Sequence, residues 1–155
     1  ARQDMREEVI KKVVDASSVD IPQILVDRRV DAHMSRLSER LQAQGFSLEQ
    51  YCEAADTTEE EIREKYQEQA YQSVKTDLVL EEIAETEKIE VKEEEIIEEI
   101  QELAKEYNEN VDALQKNLQS RESIEALSYG IMIDKTVKFL MDNAKEVEEE
   151  AGAEE

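Results

Sequence analysis

The chain holds one histidine, His33, and one cysteine, Cys52. An imidazole beside a thiol can make an activated nucleophile. Their spacing neither requires nor forbids that meeting, and two such singletons in a helical chain read better as unrelated side chains. A carboxylate-bridged di-iron centre needs Glu-x-x-His pairs on facing helices. Val30 stands three residues before His33, so that pattern fails. Zinc needs several Cys or His ligands. The calcium-loop pattern is absent, and three isolated glycines cannot build a phosphate loop. In "KEEEIIEEIQE", Glu94 and Glu98, and Glu95 and Glu99, stand four apart, where carboxylates repel unless something neutralises them. A solvated helix face is the reading that fits. The expectation is a protein that is not an enzyme, with no metal site and no cofactor.

Composition points to the elements that must carry any other function. The 155 residues suit one domain, and 39% are hydrophobic but only 5% aromatic. Glycine and proline are scarce, while Glu, Lys, Ala, Leu, Gln and Arg dominate; these are the good helix formers. An all-α fold with long helices follows. The formal charge is 19 − 41 = −22. Such a surface repels phosphate, so neither nucleic acid nor an anionic membrane is an expected partner. Basic or apolar partners remain open, and so does the plainer reading that acidity keeps the chain soluble. No apolar run reaches the ~20 residues of a membrane span. The lone cysteine fits a reducing cytoplasm. The opening "ARQDMREEV" lacks Met and is already in helical rhythm, which suggests a piece of a longer protein.

Apolar periodicity lays out the helices. Met5, Val9, Val13 and Ala16 mark a first helix over 2–16, with Ile10 and Val14 alongside. Asp20 is a candidate cap for the next, with Pro22 near its first turn. Val26, Val30, Met34, Leu37 and Leu41 step along it, and Gly45 closes it. His33 lies about 60° from Val30, at the edge of that stripe. Ser47 with Gln50 is a capping box for a short helix. Thr58 with Glu61, or Thr57 with Glu60, opens the longest helix, over about 58–86. Ile62, Tyr66, Ala70, Val74 and Leu78 form one stripe there; "LVLEEIA" is then apolar around most of its circumference, as a segment buried on all sides would be. "EKIEVKEEE" links to a helix over about 92–107, a short helix follows "YNEN", and a last helix spans 121–146. Residues 147–155 read as an acidic, disordered tail.

The stretches "VDIPQILVDRRVDAHMSRLSERLQAQGFSLEQY", "TTEEEIREKYQEQAYQSVKTDLVLEEIAETEKIEV" and "EEEIIEEIQELAKEYN" resemble the C-terminal domain of trigger factor, the bacterial ribosome-associated chaperone. The likeness runs from about Met5 to Ala144. It implies an elongated all-α domain over 1–146 with two projecting helical arms. One arm would use 22–44 and 58–86, the other 92–118 and the last helix. It also implies a cytoplasmic, ATP-independent holdase that grips unfolded or nascent polypeptides through dispersed apolar patches. Many weak, non-directional contacts suit such promiscuity. The family's ribosome-docking domain and its peptidyl-prolyl isomerase domain have no counterpart in this chain, so ribosome contact would come only through the former. A homodimer stays compatible with the sequence. The competing reading is a helical adaptor that binds one dedicated partner.

Client-contact positions carried over from the resemblance fall on Leu103, Tyr107, Val111 and Leu114, and on His33 and Leu41. His33 replaces the bulky apolar residue usual in the family. Phe46, Leu48 and Tyr51 join the set from exposure logic at the tip. Client holding at His33 is expected to weaken when that side chain is charged near pH 5.5.

Overall fold

The computed structural model describes the backbone of residues 2–153 and the side chains of residues 3–144. Among these residues the chain is all-α, with seven helices: α1 Arg2–Ala16, α2 Gln23–Ala43, α3 Leu48–Ala55, α4 Glu59–Thr86, α5 Glu93–Glu106, α6 Val111–Asn117 and α7 Arg121–Ala153. The acidic tail expected over 147–155 has its side chains outside the described residues, and Glu154 and Glu155 lie outside them altogether.

Helix boundaries follow local chemistry. α2 ends on Gly45, whose φ of +83° only glycine adopts without strain. The Gly45 N–H donates to the Gln42 carbonyl and the Phe46 N–H to the Leu41 carbonyl, both at 2.9 Å, which makes a Schellman closure. Ser47 and Gln50 exchange the two bonds of a capping box at the start of α3. At the start of α4, Thr58 Oγ1 accepts from the Glu61 N–H while the Glu61 carboxylate accepts from the Thr58 N–H. The alternative pairing of Thr57 with Glu60 gives way, because the Thr57 hydroxyl also donates to Glu61. At the start of α2 the expectation needs correcting. Pro22, not Asp20, holds the capping position, and no side chain caps the helix. Proline fixes the entry by its own φ of −61°.

The chain divides into two units, one built from 14–79 and one from 1–13 with 80–155. The core of the first is the α2 stripe: Val26, Val30, Met34, Leu37 and Leu41 are all buried, with Ile62 and Ala70 of α4. Ile21, Leu48, Cys52 and Tyr66 pack against its edges. Arg29 of α2 ties the same pair of helices, donating to the Ser73 hydroxyl and the Asp77 carboxylate, each at 2.6 Å. Arg63 pairs with Asp31. In the second unit, Leu80, Val137 and Met141 form the core, with Val9, Ile10, Ile133 and Leu140 around them. Ile100 and Ala104 are buried on α5, which packs on α6 and α7. Within "LVLEEIA", Val79, Leu80 and Ala84 are buried, but Leu78 and Ile83 are half-buried and Glu81 and Glu82 exposed, so the segment is covered on one side rather than all round.

Candidate functional site

Two stretches hold apolar side chains open to solvent by local backbone geometry. The first is the turn from α5 to α6. Tyr107 is the C-cap of α5, and Asn108 takes a left-handed φ of +53°. The Glu109 N–H returns to the Ala104 carbonyl at 2.9 Å. Asn110 then starts α6, its Oδ1 accepting from the Asp112 and Ala113 N–H groups. This double cap turns the chain sharply and leaves Tyr107 67% and Val111 37% exposed. Leu103 and Leu114, from the helices on either side, are half-buried.

The second stretch is the loop after α2. Its glycine closure turns Phe46 outward, leaving it 54% exposed, and Tyr51 on α3 is also exposed. Leu48 differs: it packs against the core of its unit. Leu41 needs a correction. It is only 8% exposed and belongs to that core, so its side chain is spent on packing α2 and offers almost nothing to a binding partner. The stripe spacing of Leu41 placed it on the apolar face, and that face is covered.

His33 is half-buried and stacks on Tyr66, ring centres 5.3 Å apart and planes 25° from parallel. Its Nε2 is buried and has no hydrogen-bond partner among the described residues. Cys52 packs on the core of the same unit. Each of the two reactive singletons is thus accounted for by its own packing neighbours. Among the described residues, no group of three or more His, Cys, Asp or Glu side chains is placed to hold a metal.

The acidic run on α5 is less uniform than its sequence suggested. Glu94 and Glu98 are exposed, but Glu95 is half-buried. Its carboxylate accepts from the Lys92 N–H at 2.8 Å and from Lys135 Nζ of α7 at 2.9 Å. These two bonds, the backbone one first, hold its carboxyl below the ordinary 4.5. Lys135 also donates to the Glu90 carbonyl at 2.5 Å. Sequence reading missed Lys135, because its partners lie 40 and 45 residues away.

It also missed a groove of about 420 Å³ on the unit containing α7. Ile89, Val91, Ile96, Ile124, Tyr129 and Met132 give its apolar wall. The alternation Ile89–Glu90–Val91 was a legible signal for it, in a segment that reads only as a link between helices.

The family model for the bacterial trigger factor protein C-terminus matches residues 1–142. The chain is 37% identical over 145 residues to the trigger factor of Alkaliphilus oremlandii, covering 94% of this chain and 34% of that protein. It is 38% identical over 143 residues to the trigger factor of Moorella thermoacetica, covering 92% of this chain and 31% of the relative. The chain thus spans about a third of the length of the curated relatives it matches. A solved structure of trigger factor domains from Thermotoga maritima is similar with a TM-score of 0.66 at 26% identity, over 90% of this chain and 81% of the other. With a family model matched over nearly its whole length and relatives this similar, the chain belongs to the bacterial trigger factor family, through its C-terminal region.

Proposed function

We propose that this chain is an ATP-independent holdase of the bacterial cytoplasm that binds unfolded or nascent polypeptides, with residues 1–146 as the client-binding region. Family membership supports the class of partner. The observation that carries the site is the pair Tyr107 and Val111, large apolar side chains held open by the capped α5–α6 turn. An exposed aromatic on a chain of charge −22 is not needed for solubility. A tyrosine offers broad apolar area with little side-chain entropy to lose. Leu103 and Leu114 would extend this patch, and Phe46, Leu48 and Tyr51 would form a second, weaker one. His33 sits beside Tyr66 as a more polar contact. Leu41 acts by holding α2 in place. No chemical step is assigned to the chain; ribosome contact and proline isomerisation belong to other parts of the family's proteins.

The test is suppression of light scattering by a chemically unfolded client diluted into buffer with the whole chain. Tyr107→Ser combined with Val111→Ser should reduce suppression severalfold at equal concentration, with unchanged helical circular dichroism. Undiminished suppression by that variant would remove the patch from the site. Tight binding of one folded protein, with no effect on unfolded clients, would favour a dedicated adaptor instead.

A further inference from the structure

The link between α4 and α5 has a backbone edge that none of the described residues of its unit uses. Ile89 and Val91 both line the apolar groove, two residues apart, while Glu90 between them is exposed. That is the alternation of an extended chain. The Ile89 N–H is taken by the Ala84 carbonyl at 2.8 Å, and the Glu90 carbonyl by Lys135 Nζ. Among the described residues, the Val91 N–H and carbonyl make no hydrogen bond within the chain. In an extended segment these two groups point to the same edge, opposite to the one that Glu90 turns towards Lys135. Val91 therefore presents a donor and an acceptor side by side, at the lip of a groove walled by Ile96, Ile124, Tyr129 and Met132.

We infer that this groove is a strand-addition site for an extended polypeptide segment carrying aliphatic residues at alternate positions and basic residues between them. The inference rests on the holdase reading and names a further contact within it. A residue paired antiparallel with Val91 exchanges two backbone bonds with it, and its side chain falls on the groove face. Its neighbours fall on the face of Glu90. Residues 85–94 carry five acidic side chains (Glu85, Glu87, Glu90, Glu93 and Glu94) against two basic ones (Lys88 and Lys92), so 2 − 5 = −3. The nearby cations Lys135 and Arg121 are already paired, with Glu95 and Glu125. Lysine or arginine in the bound segment therefore meets an uncompensated acidic rim. A groove of about 420 Å³ admits only a few side chains, far less than a lasting interface between two folded copies requires. Backbone pairing explains how one site can accept many sequences, since it reads extension and alternation rather than residue identity.

The probe is the blocked pentapeptide Ile-Lys-Val-Lys-Ile, titrated into the whole chain and followed by amide and methyl NMR shifts. Saturable shifts at Val91, Ile124 and Met132 are expected. N-methylation of the three aliphatic residues should weaken binding at least about tenfold, and N-methylation of the two lysines less than about threefold, since only the former removes donors that face Val91. Ile124→Ser, at an exposed position, should weaken the peptide without loss of helicity. Equal binding of the two methylated forms would overturn strand addition. Shifts elsewhere, absence of saturation, or concentration-dependent shifts at the groove without peptide would overturn the site or its occupant. The scattering assay with the unmodified chain is run in parallel. Suppression there with a negative peptide result sinks this inference alone, whereas no suppression sinks the holdase reading.

Discussion

Leu41 and Tyr107 are both large, apolar and on helical stripes, yet one is core and the other surface. Leu41→Ala should lower the unfolding free energy by about 2–5 kcal/mol, because it empties a buried site. Tyr107→Ser should change it by less than about 0.5 kcal/mol while weakening client holding. Urea unfolding of both variants checks the contrast. His33 sits between these cases. Its buried Nε2 lacks a partner, so His33→Leu should raise stability by about 1 kcal/mol. Glu95 gives the acid limb. Its folded pKa lies below the ordinary 4.5, so its stabilising bonds to Lys92 and Lys135 are fully present above pH 4.5. They are lost as pH falls further through the folded value. Glu95→Gln should make the melting temperature less dependent on pH below 4.5 than in the wild type.

At the scale of elements, most of the helix plan was legible, because caps and stripes are local. Ser47–Gln50 and Thr58–Glu61 made their capping boxes, and Gly45 closed α2. Asp20 failed as a cap since Pro22 already fixed the entry to α2. Gly45, just past the end of α2, and Gly130, inside α7, allow a paired test. A Cβ at Gly45 or Gly130 would meet no atom within 4 Å, so backbone preference alone decides the outcome. Gly45→Ala should cost about 1 kcal/mol, because its φ is left-handed. Gly130→Ala should stabilise by up to about 1 kcal/mol, since it lies inside α7. Thermal melts that move the same way in both variants would contradict this account. What local reading could not supply was the pairing of distant elements. Periodicity shows which face of a helix is apolar, not whether another helix covers it. Met5 shares a stripe with Val9, yet Met5 is exposed while Val9 packs on a core.

For the whole molecule, that same limit decided how much of the site could be read. The family resemblance pointed to the α5–α6 turn, and the capped geometry there explains why Tyr107 and Val111 stay open. Leu41 went astray because its stripe closes against α4, and the groove at Val91 escaped notice because its walls come from residues 89–132. The central claim is that open apolar side chains, rather than any reactive group, perform the function. Methyl and amide NMR mapping of the whole chain with a full-length unfolded client tests it most directly. Perturbations should cluster at Tyr107, Val111, Phe46 and Tyr51 and spare Val26, Leu37 and Val137. Perturbation of those buried residues alone, or none at client excess, would contradict it.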